Sequence, residues 1–210
     1  MSRRLILLRH GQTAWNLVGR MQGHCDVELD ATGHEQAAAA APYVAAYQPS
    51  ALWTSDLSRA ARTAAYVARE CALEPREDAR FRELDLGESA GVLKADYARD
   101  EPDLYAALMA GDFSRIPGAE DLATIAQRFG AGIDEVMANL GPAQTAVVVS
   151  HGTAIRAGIC HAVGWPAELA GTLAGLGNCH WAVLTEHQGP GRFRLETYGL
   201  GPGDPPISHP

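Results

Sequence analysis

Four apolar residues in succession, Leu5-Ile6-Leu7-Leu8, run straight into Arg9-His10-Gly11. A short unbroken apolar run predicts a strand buried on both faces. Residues 13–17 follow as a helical stretch, and Gly11 permits the sharp turn and close backbone approach between the two. Such a corner puts a cation and an imidazole at the carboxyl end of a sheet, where open α/β sheets bind ligands. Helix N-terminal amides add affinity for an anion there. The pattern recurs: Ala146-Val147-Val148-Val149-Ser150 predicts a second buried strand, and it ends in His151-Gly152-Thr153. A helix is expected over residues 154–163, with Gly164 as its C-cap. One histidine taken alone is ordinarily a structural group. Two strand-His-Gly-helix corners in one chain point instead to a shared site.

The pattern between and beyond the corners predicts further elements. Residues 19–24 are polar and glycine-bounded and read as a loop near the first strand's end. Thr32-x-x-Glu35 has the form of a capping box and is expected to open an alanine-rich helix that Pro42 kinks or divides. Residues 51–54 read as a short strand, after which Ser55-Asp56 is expected to cap a helix over 57–71. Arg59 falls in that helix's first turn, where a cation opposes the macrodipole. On spacing alone, Arg59 is either part of a solvated face or a phosphate ligand whose removal should cost little stability. Residues 80–88 read as an extended segment that crowds Glu83, Asp85 and Glu88 among apolar residues. One of these could donate a proton to a leaving group, and each could equally be a surface acid. Residues 89–116 show weak helical periodicity and read either as a lid or as a pair of surface helices. Leu122, Ile125, Phe129, Ile133, Val136 and Met137 mark an amphipathic core helix, ended by Gly141-Pro142. Residues 178–184 and 193–198 read as a hairpin.

The 210 residues are long enough for one domain with a substantial core, placed over residues 1–200, with Gly/Pro-rich residues 201–210 as a disordered tail. A formal net charge of −8 argues against a general nucleic-acid or anionic-membrane binder, though a local arginine cluster can still hold a small anion. No apolar run at the N-terminus has the length of a signal peptide or membrane span. Cys25, Cys71, Cys160 and Cys179 are widely spaced, which suits reduced thiols in a cytoplasmic protein. The eight histidines form no H-x-H or H-E-x-x-H pattern, so no metal site is expected. Oligomeric state is not readable from these residues; a homodimer is one arrangement left open.

Arg9-His10-Gly11-Gln12-Thr13-Ala14-Trp15-Asn16 resembles the R-H-G-x-T-x-W-N signature of the histidine phosphatase superfamily, the phosphoglycerate-mutase-like phosphatases. Ser55-Asp56-Leu57-x-Arg59-Ala60 and Ser150-His151-Gly152 resemble its second and third motifs, in the expected order. The resemblance implies an α/β fold, a three-layer sandwich with a mostly parallel central sheet flanked by helices. It implies a catalytic set of His10 as the nucleophile, Arg9, Arg59 and His151 on the phosphate oxygens, and Glu83 as the acid. Thr13, Asn16, Gln22, Gly23 and Gly152 match positions near the phosphate or substrate. The expected reaction is metal-independent hydrolysis of a small phosphorylated metabolite through phospho-His10, without a cofactor. That chemistry suits the residues, since phosphoryl transfer needs an aligned nucleophile, cations on the equatorial oxygens and a proton for the departing oxygen.

Two departures bear on specificity. Gly87-Glu88-Ser89-Ala90-Gly91 stands where the family often has G-E-W-E-G, and Gly118-Ala119-Glu120-Asp121 where it has G-G-E-S. The segment between Glu83 and His151 is shorter than in cofactor-dependent mutases, which favours a phosphatase over a 2,3-bisphosphoglycerate-dependent mutase. A catalytically silent phosphate- or partner-binding module is the alternative of another class, and the presence of all five core residues argues against it. Residues 19–23 and Gly177-Asn178-x-x-Trp181 resemble the glucosyl-3-phosphoglycerate phosphatases more narrowly.

Overall fold

The structure is a computed structural model that describes residues 2–187 and 189–204. Its elements in chain order are β1 (Arg4–Arg9), α1 (Ala14–Leu17), α2 (Ala31–Ala45), β2 (Ala51–Thr54), α3 (Ser58–Cys71) and β3 (Arg76–Glu77). These are followed by α4 (Lys94–Asp100), α5 (Pro102–Ala110), α6 (Leu122–Ala138), β4 (Thr145–Ser150), α7 (Gly152–Val163), β5 (Trp181–Glu186) and β6 (Phe193–Leu200).

The strands form one six-stranded sheet in the order β3-β2-β4-β1-β5-β6. The first four are mutually parallel, β5 runs antiparallel to β1, and β6 runs antiparallel to β5. β1 and β4 sit side by side at the centre, with Arg9 level with Ser150. Their apolar runs are continuous because each strand has a core on both faces. Leu5, Leu7, Ala146 and Val148 face α6 and α7 across Phe129, Ile133 and Ile155. Ile6, Leu8, Val147 and Val149 face α2 and α3 across Ala40, Val44, Ala64 and Val67. This is the expected α/β sandwich. The parallel centre delivers both histidine corners to one sheet edge.

Gly11 is required by a close approach. A Cβ there would lie 2.5 Å from the carbonyl oxygen of Gly33, in the first turn of α2. That approach presses α2 against the turn that carries His10.

Several local expectations need correction. Asp30, not Thr32, caps α2, accepting from Gly33 N at 2.8 Å. The reciprocal capping box lies instead at Thr13 and Asn16 of α1. Pro42 does not divide α2, because buried Ala37, Ala40, Ala41 and Val44 hold the helix to the sheet through its last turn. Leu57 stands at the N-cap of α3 with no side-chain cap bond, while Asp56 pairs with Arg82 at 2.8 Å. Residues 80–88 are not extended: short 3₁₀ turns at Ala79–Phe81 and Gly87–Ser89 bracket an irregular stretch. Residues 89–116 carry the helices α4 and α5. The predicted tail divides: Gly201 N and Asp204 Oδ2 close a turn at 2.8 Å, and residues 205–210 lie outside the described residues.

Candidate active site

The carboxyl ends of β1 and β4 open into a cavity of about 340 Å³. Arg9, His10, Asn16, Gln22, Gly23, Arg59, Glu83 and Gly152, all anticipated from the sequence, line it. His151 lies fully buried behind this wall, with its ring centroid 5.1 Å from that of His10. Thr13 is also fully buried, and it serves α1: its Oγ1 accepts from Asn16 N at 3.2 Å, while Asn16 Oδ1 accepts from Thr13 N at 3.1 Å. Thr13 therefore orients Asn16 and does not itself reach the cavity.

The hydrogen bonds assign both imidazole tautomers. His10 Nδ1 lies 2.6 Å from the carbonyl oxygen of Gly11, so Nδ1 carries the proton and Nε2 the lone pair. His151 Nδ1 accepts from Arg59 Nε at 3.2 Å, so Nε2 carries its proton. Burial, with Arg59 and then Arg9 beside it, holds the His10 pKa well below 6.5. Burial followed by Arg59, His10 and Arg9 does the same for His151. Both rings are neutral at pH 7. One presents a base and the other an N–H donor.

That neutrality has a measurable consequence. An unfolded chain protonates these rings near 6.5, so below that pH it binds more protons than the folded chain. Stability is then full above about pH 6.5 and falls below it, by up to about 1.4 kcal/mol per pH unit for each ring. Denaturant unfolding between about pH 7 and pH 5 should show a shallower slope in His10→Asn than in the unmutated chain. Parallel slopes would mean that His10 titrates alike in both states.

Arg59 is 1 % exposed and makes three hydrogen bonds to protein. Besides His151, it donates from Nη1 to Cys25 O at 2.8 Å and from Nη2 to Gly23 O at 2.8 Å. Burial lowers its pKa to about 10, which leaves it cationic. The expectation that its removal would cost little stability is corrected: truncation would strand two carbonyls and a histidine nitrogen. Two of its five N–H groups stay available to the cavity. Arg9 donates from Nη1 to Leu176 O. Arg9 Nε and His151 Nε2 are buried with no hydrogen-bond partner among the described residues. Glu83 lies against the first turn of α7: Oε1 accepts from Leu84 N and Ala154 N, each at 2.9 Å, and Oε2 from Thr153 N at 3.2 Å.

Other wall residues escaped the sequence reading. Arg20, Lys94 and Arg156 add three cations to the cavity, and Leu108, Met109 and Phe113 add an apolar side. Arg20 lies 5.5 Å above the Trp15 ring and donates to Gly91 O at 2.6 Å. Asn178 Nδ2 donates to His10 O at 2.9 Å, fixing the His10 backbone from the β5 side. The sequence reads the Arg20 and Asn178 segments as a loop and a hairpin strand that resemble a narrower group of phosphatases, and it assigns neither side chain a role. Ser89, where the family's aromatic is absent, is buried and bonds Tyr97 at 3.0 Å, away from the cavity wall. Among the described residues, no group of three His, Cys, Asp or Glu side chains is placed to hold a metal, and no helix is long and apolar enough to cross a membrane.

Residues 5–199 match the histidine phosphatase superfamily, branch 1. The chain belongs to this superfamily and is an enzyme of its phosphomonoesterase kind. A glucosyl-3-phosphoglycerate phosphatase of Mycobacterium tuberculosis is 34% identical over 210 residues, covering 94% of each chain. A probable phosphoglycerate mutase of Serratia proteamaculans is 32% identical over 185 residues, covering 88% of this chain and 85% of its own. The solved structure of mycobacterial glucosyl-3-phosphoglycerate phosphatase with VO₃ superposes with a TM-score of 0.89 at 33% identity, over 95% of this chain and all of that one.

Proposed function

We propose that the chain hydrolyses small phosphate monoesters through phospho-His10, without a metal. His10 Nε2 attacks phosphorus and the bond to the leaving oxygen breaks, that oxygen taking a proton from Glu83. Water then attacks phospho-His10, Glu83 takes its proton, and phosphate leaves with the imidazole restored. The observation that carries this reading is that two of the unpartnered buried donors, Arg9 Nε and His151 Nε2, belong to the residues around a proton-free His10 nitrogen. Buried N–H groups are rarely left unpaired, and these two, with the spare N–H groups of Arg59, suit the equatorial oxygens of a phosphoryl group. Asn16, Gln22, Gly23 and Gly152 shape the wall nearest that group.

Arg20, Lys94 and Arg156 extend the cationic surface past the phosphate position, which favours a substrate with a second anionic group. A phosphorylated hydroxy acid of the phosphoglycerate type has that form, and the names of the relatives agree with it. The free thiols Cys25, Cys71, Cys160 and Cys179 fit a reducing cytoplasm.

The test is an assay of phosphate release from a panel of phosphorylated hydroxy acids after exhaustive EDTA treatment, with and without added magnesium. Undiminished hydrolysis is expected. Loss that magnesium restores would overturn the metal-free reading. Conversion of 3-phosphoglycerate to 2-phosphoglycerate without phosphate release would make the chain a mutase.

A further inference from the structure

The Glu83 carboxylate meets the α7 N-terminus, but its backbone lies in an irregular stretch between two 3₁₀ turns, in no strand ladder or helix of its own. Its backbone is held from outside. Arg128, on α6, donates from Nη1 to Arg80 O at 2.8 Å and Arg82 O at 2.7 Å, and from Nη2 to Glu83 O at 2.8 Å. Its remaining donors meet Glu120: Nη2 to Oε2 and Nε to Oε1, each at 2.8 Å. All five N–H groups of the guanidinium are thereby spent. Glu120 Oε2 also accepts from Asp85 N at 2.9 Å, and Glu120 N donates to Asp85 O at 3.0 Å. His24 Nε2 adds a contact of 2.8 Å to Glu83 O.

We propose that Arg128, locked in place by Glu120, is the positioning residue that sets Glu83 for proton transfer. This rests on the reading of Glu83 as the acid. Arg128 does not line the cavity; its contacts reach the site through the 80–85 segment, and its charge, which Arg128→Lys keeps, is also felt by His151. The planar fork matters here, because three carbonyl oxygens on one side and a carboxylate on the other need five donors in fixed directions. A lysine offers three donors around a point charge and cannot reproduce that set. With the clamp gone, the Glu83 carboxyl should drift from the leaving oxygen, while Arg9, His10, Arg59 and His151 keep their own contacts. Misplacement of a catalytic group by about 1 Å can cost on the order of 10²-fold in rate.

The experiment compares kcat/KM for phenyl phosphate, whose leaving group is basic, with that for p-nitrophenyl phosphate, whose leaving group departs without a proton. In Arg128→Lys the ratio of the first to the second should fall by about 10-fold to 10²-fold. Glu120→Gln, which keeps the size and removes the charge, should move it the same way by less. Glu120→Gln carries the test if Arg128→Lys does not fold. A purely structural role would lower both rates together and leave the ratio unchanged, which would overturn the proposal. Glu83→Gln, measured in parallel, separates the two failures. If Glu83→Gln shifts the ratio and neither clamp variant does, only the positioning role falls. If Glu83→Gln leaves the ratio unmoved, the acid assignment falls and takes the positioning role with it.

Discussion

Replacing His10 by Ala is expected to lower turnover by about 10⁴-fold or more while the chain stays folded, as for other covalent nucleophiles. The size of the loss follows from the division of labour in the cavity. On the proposed reading Arg9, Arg59 and His151 still hold a phosphate, but among the described residues no other lone-pair nitrogen is placed beside them: the Nδ1 lone pair of His151 is already spent on Arg59 Nε. Survival of the fold follows from the contacts of the ring. Its one hydrogen bond is to Gly11 O, and the turn around it is held independently by Asn178 on His10 O and by Thr63 Oγ1 on Gly11 N at 3.0 Å. Binding of inorganic phosphate should persist in the mutant, since it depends on the oxygen ligands and not on the nucleophile. More than a tenth of the original activity in a folded His10→Ala chain would refute the assignment.

The parts of this site that the sequence makes legible are those set by local chain direction. Both histidine corners end strands whose apolar runs are buried on two faces, so periodicity and the next glycine place His10 and His151 without tertiary knowledge. The parts it hides are set by contacts across the chain. Arg59 reads locally as a first-turn cation in an unfavourable dipole, yet its guanidinium passes to carbonyls of Gly23 and Cys25, more than thirty positions away. Those bonds outweigh the dipole and no pattern around residue 59 signals them. Glu83 is similar: its clamp comes from a residue 45 positions on, which no short motif spans. The N-cap expected for α2 failed for another reason, while Gly164 does cap α7. A Thr-x-x-Glu spacing fits many chains, and Asp30 is two residues nearer the turn that α2 must make beneath Gln12, whose carbonyl accepts from Asp30 N at 3.0 Å.

Glu83→Gln should slow hydrolysis of phenyl phosphate by about 10²-fold to 10⁴-fold and that of p-nitrophenyl phosphate by less than about 10-fold. The asymmetry is expected because, as the proposed acid, the carboxyl acts on the departing oxygen and not on the phosphoryl group. Phenolate is a strong enough base to leave poorly unless protonated, and nitrophenolate leaves as the anion. The amide cannot supply that proton, whichever way it is turned. Nor can it replace the carboxylate structurally. Glu83 accepts three backbone N–H groups through two oxygens, and an amide offers one oxygen and an NH₂ that faces the others. At least one N–H at the start of α7 is left unpaired, at about 1–3 kcal/mol, so a lowered melting temperature is expected as well. Absolute rates in the mutant therefore mix two effects, and the ratio of kcat/KM values isolates the proton. With chemistry limiting both substrates, a fall in the phenyl to p-nitrophenyl ratio marks Glu83 as the acid. Equal losses with a lowered melting temperature would leave it a brace for the α7 N-terminus. Asp85, whose Oδ1 accepts from Gly87 N at 3.0 Å, would then be the next carboxyl to test.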